Sequence, residues 1–276
     1  MNVTNILNEI EKIDPEVYGR LNSRRKVMKS FANISGKLAL TAVPLAFGSM
    51  FQKAYAQSPG VADIVGVLNF ALTLEYLEYN FYIKAVASGI VPAGNALNAL
   101  TLIRDHEAAH VNFLKTAITA SGGTPVSFTA ASFDFTAKGT FPTVFSDYAV
   151  LLAVAQTFED TGVRAYKGQA GNLISSNELL TAALRIHSVE ARHAAHIRWM
   201  RKNLNFANVK PWITGKESGI GPAAQASYDG EELDIQATIK ITNINGKDIP
   251  YEAATESFDE PLTKEQVIKI VTPFFA

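Results

Sequence analysis

The sequence predicts an all-α protein: a four-helix bundle with a long crossover between helices 2 and 3, then a small C-terminal β-hairpin and a short last helix. Three observations predict it. Four stretches of about 25 residues repeat apolar side chains at helical spacing. Two of them carry a Glu-x-x-His pair, Glu107/His110 in RDHEAAH and Glu190/His193 in HSVEARHAAH. The breakers between the second and third stretch cover residues 121 to 145, far more than a simple up-down bundle needs.

The first helix is expected over 61 to 87. Val61, Ile64, Val65, Leu68, Ala71, Leu72 and Phe81 share one face, Tyr76, Tyr79 and Tyr82 widen it, and Gly89 ends it. Pro92 is expected to open the second helix, which runs to about Ala120 before Ser121-Gly122-Gly123. The third runs from about Ser146 to Ala170. The fourth starts at a capping box, Ser175-x-x-Glu178, and reaches about Asn203. Beyond it, Leu233, Ile235, Ala237, Ile239 and Ile241 alternate with polar residues, the pattern of a half-buried strand. Asn245-Gly246 is the favoured two-residue hairpin turn, and Pro250 confines the return strand to an edge. Thr263-x-x-Gln266 caps a final helix to about Val271. A lone hairpin is unstable in water, so this tail is expected to pack on the bundle.

Residues 1–56 are a different material. Ser23-Arg24-Arg25-Lys26 precedes an apolar run from Phe31 to Met50, broken by Pro44 and Gly48, and Ala54-Tyr55-Ala56 supplies the small residues of a cleavage site. This segment resembles a twin-arginine export signal. The alternative is an anchor that stays attached. The domain organisation is then a signal over 1–56, a bundle over 57–204 and a C-terminal extension over 205–276, with a periplasmic or secreted location. No other stretch reaches the roughly 20 apolar residues of a membrane span. Of the 25 basic and 26 acidic side chains, eight and four lie in residues 1–56, leaving 17 against 22 and a formal charge of −5. That balance gives no reason to expect nucleic acid. There are no cysteines, so an exported protein here needs no disulfides.

Residues three apart on an α-helix share a face, so each Glu-x-x-His pair aims a carboxylate and an imidazole at one point. Two further glutamates match across the chain: Glu75 is followed seven residues on by Tyr82, and Glu159 by Tyr166. The offsets nearly agree, 84 residues from Glu75 to Glu159 and 83 from Glu107 to Glu190. Two similar helical hairpins would produce them. Glutamates inside a bundle are prohibitively costly unless paired or bound to cations. The bland reading, that each pair is a solvated helix face, leaves the matched spacing unexplained.

The order Glu75, Glu107-x-x-His110, Glu159, Glu190-x-x-His193 resembles the ferritin-like family, in particular secreted ferritin-like proteins related to bacterioferritin, rubrerythrin and manganese catalase. The resemblance covers roughly residues 60 to 204. It implies a ferritin-like four-helix bundle with a carboxylate-bridged dimetal centre, one Glu from each of two helices and one Glu-x-x-His from each of the others. On that pattern Glu75 and Glu159 are terminal ligands, Glu107 and Glu190 bridge, and His110 and His193 give one nitrogen to each of two non-haem ions, Fe or Mn. Oxidative chemistry on O2 or peroxide, ferroxidase or peroxidase/catalase-like, would follow from the four glutamates as the catalytic centre. The alternative is a stress- or desiccation-associated ferritin-like bundle without turnover. The long tail argues for a monomer or small homo-oligomer rather than a hollow shell.

The neighbours are weighed separately. Glu78 competes with Glu75, and Asp160 with Glu159, but neither places a tyrosine seven residues on. The two tyrosines are either donors to ligand carboxylates or plain core aromatics. His187 and His196 flank the central pair and drift to opposite sides of the helix, and His106 is rotated about 100° from Glu107. All three histidines are therefore left outside the centre. Arg104 and Arg164 either balance buried negative charge or lie at the surface.

Overall fold

The computed structural model describes residues 61–236 and 238–276. The expected export signal over 1–56 lies outside them, as does Ala237. Four long helices dominate: α1 Val61–Ala87, α2 Asn95–Ala120, α3 Tyr148–Ala170 and α4 Asn177–Asn203. α1 pairs along its length with α2, and α3 with α4. Among the described residues no helix is long and apolar enough to cross a membrane.

Three helix starts differ from expectation by a few residues, each for a local reason. α2 begins at Asn95, not Pro92, because Gly94 has φ 93°, outside the helical range. The Pro92 carbonyl still accepts from Leu97 N–H at 3.2 Å. Asp147, not Ser146, caps α3: its carboxylate accepts from the N–H of Ala149 at 2.9 Å and Val150 at 3.3 Å. α4 is capped by Ser176 rather than by a box at Ser175, with the Ser176 hydroxyl accepting from Leu179 N–H at 3.4 Å.

The core runs the length of the bundle through Leu72, Phe81, Leu100, Ile118, Leu151 and Ile197, all fully buried. Each such side chain contributes about 1.5–3 kcal/mol of burial. The α2–α3 crossover adds Phe133, Phe135 and Phe141. The chain end closes on it: Asp134 N–H donates to the Phe274 carbonyl at 2.8 Å, and Ala276 N–H to Ser132 at 3.0 Å.

The tail packs on the bundle through Leu262, Val267, Val271 and Phe274, which join the main core. Gly168 on α3 permits the approach, since a Cβ there would lie 1.9 Å from the Leu262 carbonyl oxygen. Buried charge fastens the rest. Arg164 donates to the carbonyls of Ser227 at 2.6 Å, Glu260 at 2.7 Å and Asp229 at 2.9 Å, and pairs with Glu231 at 2.7 Å. Beside it, Arg198 grips Asp160 at 2.6 Å, and the Tyr228 hydroxyl donates to the same carboxylate at 2.7 Å.

The long strand expected over Leu233 to Thr242 does not form. The segment folds back on itself at Thr238, with φ 74°, giving β1 Ile235–Gln236 against β2 Ile239–Lys240. Its alternation is not half-buried either: Leu233, Ile235 and Ile239 are more than half exposed, and among its described apolar residues only Ile241 goes inside. The Asn245-Gly246 turn forms as expected, with φ 53° and 74°, joining β3 Asn243–Ile244 to β4 Lys247–Asp248. Pro250 is not in the return strand but starts α5 Tyr251–Thr255, where its fixed φ suits a helix N-terminus. The last helix, α6 Lys264–Val271, has the expected Thr263/Gln266 capping box.

Candidate metal centre

Midway along the bundle, each long helix turns its acidic position inward. α1 brings Glu75, α2 brings Glu107 and His110, α3 brings Glu159, and α4 brings Glu190 and His193. The four glutamates are completely buried, and the two histidines nearly so. All six meet in two overlapping groups, Glu75–Glu107–His110–Glu190 and Glu107–Glu159–Glu190–His193, with donor atoms in each within 4.8 Å of one another. Glu107 and Glu190 belong to both. The i, i+3 spacing does this within a helix, and the pseudo-repeat does it between helices.

The geometry around each imidazole is specific. His110 Nδ1 lies 3.1 Å from Glu75, 3.0 Å from Glu107 and 3.0 Å from Glu190. His193 Nδ1 lies 2.9 Å from Glu107, 3.2 Å from Glu159 and 3.4 Å from Glu190. One ring nitrogen carries at most one proton, so it cannot hydrogen-bond three carboxylates. Donors placed at right angles around a cation at about 2.1 Å are separated by about 3.0 Å. Five buried atoms here have no hydrogen-bond partner: Glu107 Oε1, Glu159 Oε2, both Glu190 oxygens and His193 Nδ1. Orphaned buried atoms of this kind are costly unless something outside the protein satisfies them. The donor set, carboxylate-rich with one imidazole per group, suits hard-to-borderline divalent ions.

Electrostatics shows the same strain. Burial, then the charge of Glu190, pushes Glu107 well above the carboxylate range, and burial raises Glu159 to about 7 against the pull of His193. Burial alone would also raise Glu190, but the facing His110 and His193 hold it below its ordinary value. Burial opposes charge on both imidazoles, yet Glu75 beside His110 and Glu159 beside His193 drive their pKa values up. Carboxylates and imidazoles packed this closely thus set one another's charge in a buried interior.

Tyrosines fix two of these carboxylates. The Tyr82 hydroxyl donates to Glu159 Oε1, and the Tyr166 hydroxyl to Glu75 Oε1, each crossing from one helical hairpin to the other. The tyrosines are therefore donors to the carboxylates as well as core aromatics. His106, left out on helical-wheel grounds, does reach the centre. Its Nδ1 lies 2.9 Å from His193 Nε2, and burial lowers its own pKa to about 4. Rotation about α2 says where His106 points, but only the packing of α2 against α4 supplies the ring it meets.

Glu78 is a further buried carboxyl beside these four glutamates, pushed well above its ordinary value by burial and then by Glu190 and Glu159. Gly162 makes room for it, with an added Cβ falling 3.1 Å from Glu78 Oε1. Asp160 turns away to Arg198. His187 Nδ1 lies 3.0 Å from the Val163 carbonyl, and His196 stacks on Trp199 at 5.6 Å, so neither joins the centre. Arg164 is buried but faces the tail, and Arg104 pairs with its neighbour Asp105 at 2.7 Å on the partly exposed side of α2.

Comparison with known families agrees with this geometry. A family model described as a ferritin-like domain matches residues 63–203, all but the first two residues of the four-helix unit and including all six of these side chains. No curated protein matches the chain.

Proposed function

This chain belongs to the ferritin-like domain family, and from that premise we propose that its bundle holds two non-haem metal ions, Fe or Mn, and performs oxidative chemistry on O2 or peroxide. The observation that supports it best is the sharing of Glu107 and Glu190 between two otherwise separate donor groups. Glu107 and Glu190 each turn one oxygen toward His110 and the other toward His193, so either could serve both groups. Glu75 with His110, and Glu159 with His193, would hold the ion in each group. When bound, such ions supply a pair of electrons to an oxidant, as in ferroxidase or peroxidase/catalase-like turnover.

The protein's own groups do the rest. Full burial of the four glutamates excludes bulk water and strengthens every charge interaction inside. Tyr166 and Tyr82 hold Glu75 and Glu159 in one orientation and keep their protons on the hydroxyl oxygens, since burial and the adjacent carboxylates raise both phenols well above their ordinary values. His193 is oriented from outside by His106. The twin-arginine-like segment before the bundle supports export to the periplasm or beyond, after folding and metal loading in the cell.

The test is to load the purified chain with Fe(II) or Mn(II) without oxygen, then add O2 or hydrogen peroxide and follow oxidation. The reading expects oxidation faster than that of the free ion, lost in both Glu107→Ala and Glu190→Ala. Wild type and both variants oxidising no faster than free metal would favour the non-enzymatic, stress- or desiccation-type bundle instead.

A further inference from the structure

The two ends of the bundle around the centre are filled differently. Toward Tyr82 the interior is crowded with rings, with Phe81 on Phe158 at 5.2 Å and on Phe135 at 5.6 Å, and Phe158 on Phe274 at 4.7 Å; the void beside Phe158 and Glu78 is only about 10 Å³. Toward Tyr166 it is hollow. A cavity of about 20 Å³, measured as the space open to the centre of a water-sized sphere, is lined from all four helices by Ala71, Leu74, Leu114, Tyr166, Ala183 and Ile186 among others. Its lining comes to about one helical turn from the proposed ligands. Ala71 lies four residues before Glu75, Leu114 four after His110, and Ile186 four before Glu190, each an axial step of about 6 Å. Tyr166 itself touches Glu75. At the outer wall, Val67 and Phe113 are only half-buried, so the cavity approaches the surface between α1 and α2.

The chemistry of the lining selects its guest. Its polar members are Tyr166 and Gln169. The Tyr166 hydroxyl hydrogen goes to Glu75, and Gln169 Oε1 accepts from Asn172 at 3.0 Å, which leaves the Gln169 amide group as the one polar donor among otherwise apolar lining residues. A buried water wants two to four polar partners, and apolar cavities without them stay dry and take up xenon. Hydrogen peroxide makes the same demands as water and would lose its hydrogen bonds on entering. Dioxygen has none to lose. A single water needs roughly 10–15 Å³ by this measure, so the cavity suits a diatomic molecule and excludes an organic substrate.

We infer that this cavity is the holding site and inner end of the access route for dioxygen, which makes O2 rather than peroxide the oxidant of the centre. The inference deepens the oxidative reading above and rests on it. Its test begins without metal: crystals of the full chain are pressurised with xenon, which should occupy the void beside Tyr166. Ala183→Phe fills the void, and Ala183→Leu does so more gently should the larger ring prevent folding. The filled variants should lose xenon and keep the wild-type metal content. Their O2-driven oxidation of loaded metal should fall about tenfold or more, while the peroxide-driven rate changes less than about twofold. An O2 rate unmoved by filling, or both rates falling together, would overturn the inference. Oxidation without xenon binding would overturn the cavity assignment alone. Xenon in the cavity with neither oxidant reacting would overturn the oxidative reading, and the dioxygen assignment with it.

Discussion

His106 Nδ1 sits 2.9 Å from His193 Nε2, across the α2–α4 seam. One proton placed between them, on His193 Nε2, leaves the His193 Nδ1 lone pair facing Glu107, Glu159 and Glu190. A hydrogen bond on the far nitrogen is how proteins fix the tautomer of a ligating histidine. No such partner faces the outer nitrogen of His110 among the described residues. The two halves of the pseudo-repeat are therefore unequal.

His106→Phe should weaken metal at the His193 position by about 10–100-fold and leave the His110 position nearly unchanged. Stepwise calorimetric titration with Mn(II) would resolve two affinities and show which one moved. Equal weakening of both would contradict the assignment.

Tyr82→Phe and Tyr166→Phe each remove a buried donor to a carboxylate, an interaction worth about 1.5–3 kcal/mol. The losses should be local: Tyr82→Phe should loosen the Glu159/His193 position, and Tyr166→Phe the Glu75/His110 position. A spectroscopic titration with Co(II) in each variant checks this.

Saturating metal should stabilise the fold, by about 4 kcal/mol at a thousandfold excess over the dissociation constant. Melting curves with Mn(II) and with chelator measure it. Identical curves would mean that the buried glutamates are neutralised by protons alone.

Arg164 is 1% exposed and satisfies three tail carbonyls as well as Glu231. Arg164→Ala strands a buried carboxylate and should destabilise the protein by about 3–5 kcal/mol. Gly168→Ala drives a methyl into the Leu262 carbonyl and should loosen the same strap. Limited proteolysis should then cut after residue 204 in both variants sooner than in wild type.

The helices and the meeting of the six side chains were legible because both depend on one period. The spacing of three that sets Glu107 beside His110 also sets Glu190 beside His193, and burial follows from the apolar face around them. Features decided by contacts between distant segments were not. The tyrosine spacing singled out Glu159 over its neighbour Asp160, but the partners that hold Asp160 away, the tail's Tyr228 and α4's Arg198, come from distant segments. The alternation from Leu233 to Ile241 mimics a strand, yet a left-handed backbone at Thr238 breaks it. His106 needed α4 packed beside it before its role could be seen, and a cavity leaves no mark in sequence at all.

Counting metal ions per chain puts the central claim to the most direct test. After loading with Fe(II) or Mn(II) under reducing conditions, wild type should hold two, Glu75→Ala one, and Glu107→Ala, which loses a donor from both groups, markedly fewer than either. Less than one ion in the wild-type chain would mean that the six buried side chains are not a metal centre.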